Sequence, residues 1–201
     1  MALSLRPPAI AGSFYPADAA TLENTVQDLL RAADAPATAD WPKALIAPHA
    51  GYVYSGPVAA SAYARLALAR GKVSRVVLLG PAHRVYVRGL ALPDTDAYAT
   101  PLGNVALDRK ALARLAALPQ VSTLPAAHAL EHALEVQLPF LQAVLGEFAL
   151  VPLVVGGNRA GQEIEHPMAI VIAGGLLSST ALTLLLLPAF YLRWGKEKRT
   201  P

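Results

Sequence analysis

Residues 167–192, PMAIVIAGGLLSSTALTLLLLPAFYL, contain no charged side chain. A helix needs about 20 consecutive apolar residues to cross a bilayer, so this run predicts a transmembrane-type helix. Pro167 suits a first helical turn. Pro188 deprives the Leu184 carbonyl of its donor and predicts a kink there. The helix is otherwise expected to be uninterrupted and to pack little against the rest of the chain. Residues 1–157 demand a different solvent. They hold 12 of the 17 Lys and Arg and 11 of the 14 Asp and Glu, interspersed with short apolar runs. The chain of 201 residues therefore reads as a soluble domain (1–157), a junction (158–166), the apolar helix (167–192) and a basic tail (193–201).

Composition narrows the function. The chain has no cysteine, which excludes disulfides, thiolate metal ligands and a cysteine nucleophile. No basic stretch is interleaved with aromatics, so nucleic acid is not an expected partner. The N-terminus, MALSLRPPAIAG, lacks the apolar run of a signal peptide, and residues 1–157 are expected in the cytoplasm. The charge flanking the apolar run points the other way. Arg193, Lys196, Lys198 and Arg199 follow it, whereas Glu163 and Glu165 precede it, and positive charge favours the inner face. An anchored chain would satisfy only one of these preferences, and a fused reading frame explains the conflict simply.

Within residues 1–157 the pattern is α/β. Asp18 caps a predicted helix over 19–33 that puts Leu22, Val26, Leu29 and Leu30 on one face. PATADWP (36–42) reads as a loop. KALIAPH (43–49) reads as a strand, 57–69 as a helix, and RVVLLGPAH (75–83) as a strand covered on both faces. Together these make a predicted βαβ unit over 43–83. Further strands are expected over 89–93 and 148–157, and helices over 108–117 and 131–145, the last divided by Pro139.

His49 and His83 each follow a predicted strand, where ligands bind in open α/β sheets. Two imidazoles there can share a metal ion; each equally fits a plain hydrogen bond in a loop. His128, Glu131, His132 and Glu135 form a second cluster, spaced four apart in pairs so that each pair shares a helix face. That face can supply a ligand, a general base or a carboxylate behind an imidazole. The alternative is a solvated helix N-terminus, which composition alone favours. Tyr15, Tyr52 and Tyr54 flank the same turns and fit either a pocket wall or simple packing.

Several strings occur in a fixed order: GSFYP (12–16), APHAGYVYSG (47–56), GPAH (80–83), TPLGNVALD (100–108), EHALEVQLPFLQ (131–142) and VPLVVGG (151–157). Residues 6–157 thereby resemble the Memo family, including the bacterial members called AmmeMemoRadiSam system protein B. The family fold is similar to the LigB-type catalytic subunit of class III extradiol dioxygenases. The resemblance implies an α/β domain in which His49 and His83 hold a divalent iron or copper ion, with a redox or dioxygenase-like role. It places His132 and Glu131 in a further family motif, where they would move protons as catalytic residues. Family members continue with another strand and an SSDLSHY-like segment carrying a further site histidine, and no such string occurs here. The expectation is a C-terminally incomplete sheet, an impaired site and weak metal binding. Residues 160–195 instead resemble the last transmembrane helix of heavy-metal resistance–nodulation–division efflux transporters, through HP, GGLLSST and LLLLPAFY. Two other functions fit the same residues: a non-catalytic scaffold that binds a peptide or small molecule, and a membrane fragment of an efflux transporter fusion.

Overall fold

The computed structural model describes residues 3–34, 40–156 and 162–194. It forms two units, residues 1–160 and 161–201.

The first unit is a mixed α/β domain built on two sheets. A small sheet joins β1 (Leu5–Arg6), β4 (Ala97–Thr100) and β5 (Gly103–Ala106), with β4 central. The larger sheet runs β2 (Arg75–Pro81), β7 (Ala149–Val155), β3 (Leu90–Leu92), β6 (Val121–Thr123). β2 is parallel to β7, from Arg75 opposite Ala149 to Pro81 opposite Val155. β3 is antiparallel to β7 and parallel to β6. β7 is the central strand, and its residues Leu150–Val154 are all buried. That burial on both faces is why ALVPLVV carries no alternation. Gly156 closes the strand where a side chain would overlap the Val87 carbonyl, so only glycine fits.

Helices cover the sheets. α1 (Ala19–Ala32) starts at Asp18, whose carboxylate accepts from the Thr21 N–H, and buries Leu22 and Val26. α2 (Tyr52–Tyr63) continues as a 3-10 turn over Ala64–Ala69. α3 (Arg109–Leu115) is capped by Asp108. α4 (Pro125–Ala129) is short, and α5 (Leu138–Leu145) follows a 3-10 turn over Glu135–Gln137. The core packs Tyr52, Tyr63, Phe140, Leu138 and Leu150 between α2, α5 and β7, with Tyr63 stacked on Phe140.

Three local expectations are overturned. Residues 43–49 form no strand, so there is no βαβ unit over 43–83. Lys43–Ala47 makes no backbone hydrogen bond among the described residues, and Ile46 is 97% exposed. An apolar run becomes a strand only with a partner edge. β2 is not covered on both faces. Its burial alternates, leaving Val77 and Leu79 exposed, because it lies at the sheet edge with one face bare. Nor is 131–145 one helix divided at Pro139. The break comes earlier, at Glu131–Leu134, and Pro139 sits in the first turn of α5, where its missing N–H costs nothing. The predicted helix at 57–69 also begins sooner, at Tyr52.

The second unit is helical from Gln162 to Trp194, as α6 (Gln162–Ala181), a π turn over Leu182–Leu186 and α7 (Leu187–Trp194). The helix is thus not a plain uninterrupted α-helix. The Leu187 N–H reaches back to the Leu182 carbonyl, one residue farther than in an α-helix, just ahead of Pro188. Pro188 offers no donor and its ring crowds the preceding turn, and widening that turn accommodates both. Val171–Trp194 is long and apolar enough to cross a membrane. Residues 35–39, residues 158–161 of the junction and Lys196, Lys198 and Arg199 of the basic tail lie outside the described residues.

Candidate metal centre

β2 ends at Pro81, and the chain turns so that His83 meets the turn over residues 131–134. The approach is close because residue 80 is glycine: a Cβ there would lie 2.9 Å from Leu134 Cδ2 and 3.1 Å from Ala133 Cβ. Glu131 sits at the centre, 3% exposed. Its Oε2 accepts from the His83 backbone N–H at 2.8 Å. Its Oε1 accepts from the Ala133 N–H at 2.9 Å and lies 2.8 Å from His83 Nδ1 and 3.3 Å from His132 Nδ1.

This arrangement fixes a tautomer. An ionised carboxylate only accepts, so the short bond from Oε1 places the His83 proton on Nδ1. The Nε2 lone pair is left free, as a metal ligand requires. Glu131 is held in its ionised form. Burial acts to raise its pKa, but the N–H groups of Ala133 and His83 and the His83 ring outweigh burial and leave it below the ordinary value.

His49 arrives from a different element. It lies in the loop before α2, which is pinned at three points. The Pro48 carbonyl accepts from Gln137 Nε2 at 3.0 Å, the Tyr52 N–H donates to the Phe14 carbonyl at 2.8 Å, and Ser55 Oγ donates to the Ala50 carbonyl at 2.8 Å. The three imidazoles meet, with ring centroids 5.2 Å apart for His49 and His83, 4.4 Å for His83 and His132, and 5.7 Å for His49 and His132. One nitrogen from each ring lies within 4.8 Å of those of the other two. Two nitrogens that each sit about 2.0–2.1 Å from one ion are at most about 4.2 Å apart, so a small ring rotation completes the fit. Burial, foremost, and the neighbouring His83 lower the His49 pKa. Burial is also the main cause of the lowered His132 pKa; Glu131 opposes it, and His83, His49 and Arg84 add to it. Neutral imidazoles are the ligand form.

The second cluster divides. His128 and His132 do not share a helix face, because α4 stops at Ala129. Glu131 and Glu135 likewise part, and neither is solvated: Glu135 is fully buried. His128 lies apart from the other histidines. Its Nε2 donates to the Ala91 carbonyl at 2.9 Å and its Nδ1 accepts from the Tyr98 hydroxyl at 2.6 Å. Burial, the largest cause, takes its pKa down to about 4. Glu135 accepts from Arg6 at 2.6 Å, from Tyr15 Oη at 2.7 Å and from the Ala9 and Ile10 N–H groups.

Arg6, which the sequence did not single out, organises the turn behind the site. Its guanidinium donates to the carbonyls of His128 and Glu131, each at 2.7 Å, as well as to Glu135. The signal was a lone cation in an otherwise apolar LRPPAI. Tyr15 and Tyr52 are buried, with Tyr52 Oη donating to the Val136 carbonyl at 2.8 Å. Tyr54 is exposed and lines a cavity of about 540 Å³ beside the histidines, together with Phe14, His49 and His132.

The family described as Memo-like protein matches residues 6–174. The chain belongs to this family. The match runs past residue 157 into the first turns of the apolar helix. A MEMO1 family protein of Methanopyrus kandleri is 44% identical over 159 residues, covering 74% of this chain and 55% of the relative. One of Aquifex aeolicus is 40% identical over 154 residues, covering 76% and 55%. One of Methanobrevibacter smithii is 33% identical over 186 residues, covering 88% and 66%. The chain therefore spans little more than half the length of the first two.

Proposed function

We propose that this Memo-family chain binds one divalent iron or copper ion through His49, His83 and His132, and that the ion serves a redox or dioxygenase-like reaction. The observation that carries the proposal is the approach of three imidazole nitrogens to within 4.8 Å, with Glu131 behind two of the rings. An all-imidazole set suits copper, iron, zinc and nickel. When bound, such an ion would supply open coordination positions and one-electron chemistry. His132, read from the sequence as a proton carrier, is assigned here as a third ligand because its ring lies 4.4 Å from that of His83. Glu131 positions His83, and its bond to Nδ1 leaves Nε2 as the ligand nitrogen of the neutral ring. Phe14 and Tyr54 give the neighbouring cavity an aromatic wall that would hold a small organic molecule or the side chain of a peptide and exclude water. The same cavity could hold its occupant without turnover, as a scaffold does.

Titration of the full chain in detergent with Fe(II), Cu(II) and Zn(II) tests the reading. Each of His49→Ala, His83→Ala and His132→Ala should weaken binding at least tenfold, and His128→Ala should not. Tight stoichiometric binding that survives both His49→Ala and His83→Ala would refute it.

The likeness to AmmeMemoRadiSam system protein B and the efflux-transporter-like tail are part of the same proposal. Val171–Trp194 would anchor the chain, with residues 1–157 on the cytoplasmic side. Carbonate extraction of membranes from cells expressing the full chain and a 1–160 truncation tests it. Release of the full chain into the soluble fraction would exclude an anchor.

A further inference from the structure

We infer that Tyr15 is a redox-active tyrosine, a one-electron donor to the histidine cluster whose hydroxyl proton passes to Glu135. The natural oxidant in this inference rests on the metal reading above; the identity of the donor does not.

The chain has seven tyrosines, and four of them, Tyr15, Tyr52, Tyr63 and Tyr98, are buried. A phenol that loses an electron becomes a strong acid, so a buried tyrosine can be oxidised only where a neighbour takes its proton. The partners of the four differ in that respect. Tyr52 Oη donates to the Val136 carbonyl and Tyr63 Oη to the Gln137 side-chain carbonyl, each at 2.8 Å. Amide oxygens accept a hydrogen bond but do not keep a proton. Tyr98 donates to His128 Nδ1 at 2.6 Å, and Tyr15 donates to Glu135 Oε1 at 2.7 Å. Imidazole and carboxylate do keep one.

Two observations choose Tyr15 over Tyr98. The Arg6 guanidinium lies 4.8 Å from the centre of the Tyr98 ring, and a cation on a ring opposes removal of an electron from it. His128 also resists a second proton, since burial has taken its pKa down to about 4. Tyr15 faces a negative charge instead. Glu135 can take the proton on Oε1 and still accept from Arg6 and the Ala9 N–H through Oε2. Burial, foremost, and the bond to Glu135 raise the Tyr15 pKa, so the phenol is protonated before oxidation and the proton moves with the electron.

Tyr15 is also wired to the cluster. Arg6, which donates to Glu135, donates to the Glu131 carbonyl at 2.7 Å, and the Glu131 carboxylate is bonded to the His83 ring. Phe14, the preceding residue, sets its ring edge-on to His132 with centroids 5.0 Å apart. The step balances as follows. A peroxide-derived one-electron oxidant at the cluster is reduced by one electron from the Tyr15 ring. The Oη–H bond breaks as an O–H bond forms on Glu135. The products are a neutral phenoxyl radical and a protonated carboxyl group, and one electron from a reductant reverses the change.

The test uses the full chain in detergent carrying Tyr54→Phe, Tyr86→Phe and Tyr191→Phe, which removes the exposed phenols. Flash-generated ruthenium(III) tris-bipyridine oxidises it, and the frozen sample is read by electron paramagnetic resonance. A phenoxyl signal should form and should narrow when ring-deuterated tyrosine is incorporated. Tyr15→Phe should cut it at least tenfold, whereas Tyr52→Phe, Tyr63→Phe and Tyr98→Phe should leave it. Glu135→Gln keeps an acceptor but takes no proton, and should also cut the yield at least tenfold. Urea unfolding certifies that each variant is folded. If Glu135→Gln is not, radical formation in heavy water decides the same point, since a proton that moves with the electron slows it. Absence of a phenoxyl signal, a signal that survives Tyr15→Phe or is lost with Tyr98→Phe, or formation indifferent to both Glu135→Gln and heavy water would overturn the inference. The same chain loaded with Fe(II) and mixed with peroxide should give the same signal. No signal from a chain that has bound the ion would overturn the passage of the electron to the cluster. A chain that binds no ion would overturn the metal reading alone, and the light-driven signal would still judge Tyr15.

Discussion

Replacing Glu131 by Gln tests how the histidine cluster is held. The change keeps shape and removes charge, and the hydrogen-bond pattern dictates the outcome. Oε1 faces two donors, the Ala133 N–H and the His83 ring, with the His132 ring 3.3 Å away, whereas Oε2 faces one, the His83 N–H. A glutamine will therefore keep its carbonyl at the Oε1 position and turn its amide toward the His83 N–H, setting two donors against each other. One buried N–H loses its acceptor, which costs about 1–3 kcal/mol of stability. The bond to the His83 ring survives, but to a neutral acceptor, so Nδ1 is less firmly protonated and Nε2 is a poorer ligand. Loss of such a partner behind a metal-bound histidine typically weakens metal affinity by about 10–100-fold. Urea unfolding of the metal-free chain reads the first effect and competition titration with a chromogenic chelator reads the second. A Glu131→Gln protein that binds metal like the parent, while His83→Ala does not, would show that the carboxylate plays no part in holding the ligands. Undiminished stability would refute the donor count.

Two further outcomes follow from the buried groups behind the site. His128 has a pKa of about 4 when folded against about 6.5 unfolded, so the unfolded chain takes up the proton first and stability falls as pH drops below about 6.5, levelling off below about 4. The loss amounts to about 2 kcal/mol between pH 7 and pH 5, and urea unfolding of His128→Gln across this range should show that much less pH dependence than the parent; parallel profiles would mean that His128 is not the titrating group. Arg6→Met leaves the Glu135 carboxylate buried without its cation and takes the guanidinium from the His128 and Glu131 carbonyls, which should destabilise by about 3–5 kcal/mol; a loss under about 1 kcal/mol by urea unfolding, the worth of an exposed pair, would refute the clamp.

The sequence revealed the elements whose partners lie nearby and concealed those whose partners lie far away. Asp18 announces α1 because a cap is a three-residue interaction, and Thr21 supplies the donor. VVLLG and LVPLVV announce two apolar strands. Hydrophobicity alone does not say that β7 is central and β2 an edge, since a run buried on both faces and a run with one bare face are spelled alike here. KALIAPH is as apolar as many strands and forms none, because among the described residues no neighbouring strand supplies backbone hydrogen bonds to it. At the site, His49 and His83 were visible as imidazoles after apolar runs, although the βαβ unit invoked to bring them together is not formed. The EHALE spacing misled: four-apart pairs share a face only on a helix, and the chain leaves α4 at Ala129, sending His132 forward to the cluster and His128 back into the core. Arg6 was hidden because the three acceptors it holds at 2.6–2.7 Å lie 122 to 129 residues away.

The three histidines are not held equally, and the difference ties the site to the sheet edge. His83 and His132 lean on Glu131, whose backbone carbonyl is gripped by Arg6. That ties them to the buried charges Glu131, Arg6 and Glu135, each of which has several partners. His49 has no side-chain hydrogen bond among the described residues. Its position depends on the Pro48 carbonyl, the Gly51–Ser55 turn and the extended stretch that precedes it. That stretch, Lys43–Ala47, is the unpaired wall of a groove beside β2. A segment free to shift lets His49 rotate away from the other two rings, and a segment pinned by pairing does not. The placement of His49 is therefore the quantity through which anything that fills the groove would act on the metal centre. It is also why His49, with no carboxylate behind it, is the ligand whose contribution should respond most to what lies along the β2 edge.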